Sequence, residues 1–171
     1  MSQTHRWIRP ICVMNNLASE STATQPRLNY RKASSIAVPA MLALQQAVNR
    51  SGLEPSLQEL VKLRASQINN CAFCMDMHFR EARQKGEREE RLVLLSAWEE
   101  LDSFTPRERA ALRWTEALTR LASGRVSDEV FAEAREQFSE EELTSLTLAI
   151  VAINGWNRFS VGFRMPPGFA G

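Results

Sequence analysis

The stretch NNCAFCMDMH, residues 69–78, carries Cys71, Cys74 and His78. The chain of 171 residues has 3 cysteines and 2 histidines, so three of these five side chains fall within eight consecutive positions. At 3.6 residues per turn, Cys71, Cys74 and His78 share one helical arc of about a hundred degrees, and Met75 and Ala82 lie on the same face. Two sulfurs three positions apart can meet, and the imidazole lies one turn beyond Cys74. A thiol at a helix start faces open N–H groups and the positive end of the helix dipole, which stabilise the thiolate. His78 can accept the thiol proton or relay it. A second cysteine can then resolve a sulfenic acid by closing a disulfide.

Three readings fit those residues. One is a redox dithiol. Another is a metal site, because Cys-x-x-Cys with a histidine offers three ligands. A structural zinc asks for a fourth ligand and usually a second knuckle. The chain has no second Cys or His pair, so zinc would need Glu59 or another subunit. The third is two buried cysteines beside a hydrogen-bonded histidine. The clustering favours the dithiol, with no metal. By spacing alone, Glu59 reads as a solvated surface acid on an amphipathic helix, paired with Lys62 or Arg64.

The elements that must position these groups are helical. Ile36–Val48 is rich in Ala, Leu and Gln, with Pro39 near its start. Pro55 opens a second helix, SLQELVKLRASQI, with an apolar stripe of Leu57, Leu60, Val61, Ala65 and Ile68. Asn69 and Asn70 break it, Asn70 is a candidate cap for a third helix from Cys71 to about Lys85, and Gly86 ends that one. A shorter helix is expected from Arg88 to Trp98. Thr105, Pro106 and Glu108 form a capping box that starts a helix running to Gly124. Ser127 caps another through Phe138, and Ser139 with Glu142 starts the last, to about Phe159. Gly162, Pro166, Pro167 and Gly168 mark an irregular tail. No segment alternates like a strand, so the class is all-α. Trp98, Trp114, Phe131, Phe138 and Phe159 are expected in the core.

Composition bounds the function. With Lys plus Arg 21 and Asp plus Glu 20, the net charge is +1, which argues against a nucleic-acid or anionic-membrane partner. No run approaches the roughly 18 apolar residues of a membrane span. The odd cysteine count fits a reducing, cytoplasmic compartment better than a disulfide framework. Residues 1–27 read as a loosely ordered extension, and its His5 and Cys12 are given no role. Residues 28–171 read as a single domain. No flavin or nicotinamide motif stands out, so no cofactor is expected.

Glu59, Cys71, Cys74 and His78 stand at the spacing Glu-x(11)-Cys-x-x-Cys-x-x-x-His. This resembles the core of the AhpD-like alkylhydroperoxidases in the carboxymuconolactone decarboxylase superfamily. The flanking words ELVKLRASQINNCAFCMDMH, TPRERAALRWTEALTRL and NGWNRFSVGFRMPP agree, so the resemblance spans about Leu28 to Pro167. It implies a bundle of about six to seven helices, assembled as a dimer, trimer or hexamer. It also implies a thiol-dependent peroxidase in which Glu59, His78 and water relay protons, Cys74 attacks the hydroperoxide and Cys71 resolves it. The electrons would come from a small thiol or a protein reductant. The residues alone leave the order open, because Cys71 gains more from the helix dipole and Cys74 more from His78 four positions on. Some members carry a histidine between the cysteines, where this chain has Ala72 and Phe73. Decarboxylases of the superfamily generally lack the cysteine pair, so its presence points to the peroxidase branch. The alternatives are a general disulfide oxidoreductase and a non-catalytic oligomer that binds a small molecule or a metal.

Overall fold

The computed structural model describes residues 25–169, and these are helical throughout, with no strand among them. The α-helices are α1 (Tyr30–Ala33), α2 (Ala37–Asn49), α3 (Pro55–Ile68), α4 (Ala72–Gln84), α5 (Glu89–Val93), α6 (Pro106–Thr119), α7 (Asp128–Gln137) and α8 (Glu140–Gly162). A 3-10 segment, Leu95–Glu100, follows α5, and a 3-10 turn, Leu121–Ser123, follows α6. The all-helical bundle expected from the sequence is therefore the fold. His5 and Cys12 lie outside the described residues.

At the centre stands α3, packed against α4, α6 and α8. Every side chain from Leu57 to Ser66 is buried, polar ones included. An apolar stripe therefore understates this helix, which neighbours enclose on all sides. Its charged residues are tolerated because each finds a partner: Arg64 Nε donates to Glu116 Oε1 at 2.7 Å, and Lys62 Nζ to Glu59 Oε1 at 3.1 Å. On one side of α3, Leu57 and Val61 meet Trp114, Phe138, Leu146 and Ile150 of α6, α8 and the α7–α8 junction. On the other, Leu60 and Leu63 meet Leu92, Leu95, Trp98 and Leu112. The two capping boxes form as read, Thr105 with Glu108 and Ser139 with Glu142, and Ser127 caps α7 through the Val130 N–H.

Five expectations change. The helix expected over Arg88–Trp98 breaks at Leu94 into α5 and the 3-10 segment, with Ala97 off helical geometry (φ −113°). Arg109 secures the end of the 3-10 segment: its guanidinium binds the carbonyls of Trp98, Glu99 and Leu101. The helix expected to reach Gly124 ends at Thr119, and α8 continues three residues past Phe159. One turn, α1, precedes the first expected helix, capped by the Asn29 side chain on the Arg31 N–H. Phe131 is not core: it is 49% exposed and only its edge of α7 leans on Trp114. Trp98, Trp114 and Phe138 are buried as expected, and Phe159 is half-buried among aromatic neighbours.

Candidate active site

The turn from α3 to α4 sets the site. Asn70 takes the left-handed conformation (φ 52°), which asparagine tolerates better than most residues. The Cys71 N–H then donates to Ser66 O at 2.9 Å. Two asparagines of α8 clamp this turn. Asn69 Nδ2 donates to Asn157 Oδ1 (2.8 Å) and Asn154 Oδ1 (3.0 Å), and Asn157 Nδ2 donates to Ser66 Oγ (3.1 Å). Cys71, not Asn70, is the cap of α4: its Sγ accepts from the Cys74 N–H at 3.3 Å. Cys71 and Cys74 are joined as a disulfide, their Cα atoms 5.3 Å apart. Both are buried at 1% exposure.

One turn beyond Cys74, His78 is also buried. Its Nδ1 lies 2.9 Å from Glu59 Oε2 and 3.2 Å from Glu81 Oε2. A proton on Nδ1 satisfies both carboxylates and leaves Nε2 as the working nitrogen. Glu59 is not the surface acid that its spacing suggests: it is 1% exposed, and Lys62 and Lys85 both donate to its Oε1. Burial by itself would raise the Glu59 pKa. The hydrogen bond from His78, the charge of Lys62 and the hydrogen bond from Lys85 outweigh it and hold the carboxyl at about 2. For His78, burial works downward, but the hydrogen bonds to Glu59 and Glu81 prevail and raise its pKa above the ordinary value. Glu59, His78 and Glu81 bring three donor atoms within 4.8 Å of one another. Two ammonium groups already rest on Glu59, and their charge opposes a cation there.

A cavity of about 920 Å³ opens over this cluster. Cys74, His78, Glu59, Lys62, Glu81 and Lys85 border its polar side, while Cys71 sits behind Cys74 and does not line it. Val38, Leu42, Phe73, Met77 and Trp156 form the apolar side. The structure thus gathers all four residues singled out by the motif. Sequence reasoning missed Glu81 and Lys85, although both follow His78 along the same face of α4, at three and seven positions. Lys62 was seen only as a surface partner.

Residues 37–117 match the carboxymuconolactone decarboxylase family. YdfG of Bacillus subtilis strain 168, an uncharacterised protein, is 40% identical over 135 residues, 79% of this chain and 92% of YdfG. A crystal structure from Agrobacterium tumefaciens, ATU0492, is of a protein of unknown function described as a candidate antioxidant defence protein AhpD. It shares 46% identity at a TM-score of 0.82, over 85% of this chain and 99% of that one. An uncharacterised peroxidase-related protein from Silicibacter sp. TM1040, at 19% identity, has a TM-score of 0.68 over 77% of this chain and 70% of that one, a likeness of fold alone. The chain belongs to the carboxymuconolactone decarboxylase family, as an AhpD-like member. None of its described helices is long and apolar enough to cross a membrane.

Proposed function

We propose that this protein is a thiol-dependent peroxidase that reduces organic hydroperoxides in antioxidant defence. The observation that carries this reading is the Cys71–Cys74 disulfide at the wall of a cavity that Cys74, His78 and Glu59 border together. In the reduced protein the Cys74 thiolate attacks the terminal oxygen of ROOH. The O–O bond breaks, Cys74 becomes a sulfenic acid, and the alkoxide leaves as ROH after taking a proton from His78. The Cys71 thiol then attacks the sulfenic sulfur. The S–S bond forms and water departs, so ROOH and two thiols give ROH, water and the disulfide. A small external dithiol, able to enter the cavity, returns the two electrons.

Within this scheme Glu59 fixes and charges His78 and does not itself carry the proton. A carboxyl held at about 2 stays ionised at neutral pH and is too weak a base to collect one. Access supports Cys74 as the attacking thiol, since Cys74 borders the cavity and Cys71 does not. The protein works as a homo-oligomer in a reducing compartment, the cytoplasm. A general disulfide oxidoreductase would use the same dithiol, but a protein thiol has poor access to a sulfur that is 1% exposed at the base of a cavity. The test is consumption of cumene hydroperoxide with dithiothreitol as donor. Peroxide loss should match disulfide formation one to one in the reduced protein. Thiols that persist in excess peroxide would leave only a binding module.

A further inference from the structure

The geometry points to Ser160 as a positioning residue of this site: its hydroxyl donates to the Cys74 thiolate once the disulfide is opened. Ser160 lies on α8 at 2% exposure, and its Oγ has no hydrogen-bond partner among the described residues. Ser51 Oγ, outside the helices, is the other hydroxyl in that condition among the described residues. Three other buried or half-buried helical hydroxyls fold back on the carbonyl four residues earlier: Ser66 on Lys62 O (2.7 Å), Thr115 on Ala111 O (2.7 Å) and Thr147 on Leu143 O (2.8 Å). Ser160 leaves that bond unmade. A buried hydroxyl without a partner is costly unless another state of the protein supplies one.

The surroundings of Ser160 indicate which state that is. It stands three positions after Asn157 on the same face of α8, and Asn157 holds the turn that leads into Cys71. The Ser160 carbonyl accepts the Met165 N–H at 2.9 Å, and Met165 packs in one cluster with Cys71 and Cys74. Ser160 and Cys74 border the same cavity. A disulfide sulfur is a poor acceptor, whereas a thiolate is a charged and strong one. When a dithiol delivers two electrons, the S–S bond breaks. Cys71 takes one proton and becomes a thiol, and Cys74 is released as the thiolate. The hydroxyl then gains the acceptor that the oxidised form denies it. The hydrogen bond exists only after reduction, so it shifts the equilibrium toward the dithiol and favours the attacking form of Cys74.

This rests on the proposed cycling of the cysteine pair, though not on peroxide as the oxidant. Full-length wild type, Ser160→Ala and Ser160→Thr are equilibrated in dithiothreitol buffers of graded ratio, and the oxidised fraction is read by alkylation and mass. Ser160→Ala should be about tenfold harder to reduce, which is a potential about 30 mV more negative. Its alkylation rate should rise with pH at a midpoint about one unit higher. Ser160→Thr, which keeps the hydroxyl, should stay within about twofold of wild type. Equal potentials and equal alkylation midpoints in wild type and Ser160→Ala would overturn the role of Ser160 while leaving the peroxidase reading intact. A wild-type pair that never opens in dithiothreitol would overturn both.

Discussion

His78 held between two carboxylates, with Glu59 under two lysines, is the chemical centre of the molecule, and its protonation has consequences that can be measured. Glu59 has a depressed pKa, so its stabilising contribution is complete above its unfolded value of about 4.5 and is lost as pH falls toward 2. His78 has a raised pKa, so its contribution is complete below its unfolded value of about 6.5 and is lost as pH climbs through the raised one. Thermal unfolding should therefore be most stable between these limits, and Glu59→Gln should flatten both edges. Glu59→Gln should also cost about 1.5–3 kcal/mol near pH 6, the range for hydrogen bonds to a charged group. A denaturant curve at that pH would check the figure. His78→Ala should lower peroxide turnover by about 10²–10⁴, the usual share of a positioned proton donor. The loss in the Glu59→Gln/His78→Ala double variant should be smaller than the sum, because both act through one imidazole. The four motif residues were legible because helical spacing fixes which side chains share a face. The burial of Glu59 was not, because it depends on α4 and α8 closing over α3 from distant parts of the chain.

Among the elements, the joint between α3 and α4 depends on α8. Asn157 bridges Asn69 and Ser66 from α8. Asn157→Ala should remove both hydrogen bonds and cost about 1–3 kcal/mol. Urea unfolding would measure that cost. It should also slow disulfide closure, because Cys71 is anchored through the Ser66 carbonyl. Helix starts were readable in sequence wherever a side chain performs the capping, as at Thr105, Ser127 and Ser139. The break at Leu94 was not readable, because no proline or glycine between Arg88 and Trp98 marks it. Phe131 misled for a related reason: composition marks it as apolar, but only packing shows that α7 turns it outward.

Taken as a whole, the molecule leaves an uncharged face open. No residue of α2 is charged, and Pro39, Ala40, Ala43 and Ala47 lie exposed along it after Ile36 at 79% exposure. Val151 of α8 adds a further exposed apolar group. The aromatic tail folds over its own domain. Phe163 and Phe169 pack with Tyr30, Cys71 and Met165, and the Arg27 N–H donates to Phe163 O. Contiguous apolar surface of this kind usually marks an interface, and closed symmetry is the usual outcome. We expect a homo-oligomer built on α2. Light scattering should give a multiple of 19.4 kDa for wild type and a shift toward that mass for Ala43→Glu. Wild type at the monomer mass across a wide concentration range would end this expectation. Leu42 belongs both to α2 and to the cavity wall, so the same variant should alter access to Cys74.

The cap of α4 also bears on speed. Cys71 and Cys74 are already neighbours on consecutive turns, with Cα atoms 5.3 Å apart, and the Cys71 sulfur sits against the Cys74 amide. Closing or opening the bond therefore asks for side-chain rotation, and no segment of backbone has to melt to bring the sulfurs together. Rotamer changes take picoseconds to nanoseconds, whereas local unfolding takes microseconds or longer. Even in a crowded interior, the resolving step should outrun capture of the sulfenic acid by a second peroxide. On the proposed cycle, sulfinic acid should stay scarce at Cys74 when peroxide is in large excess.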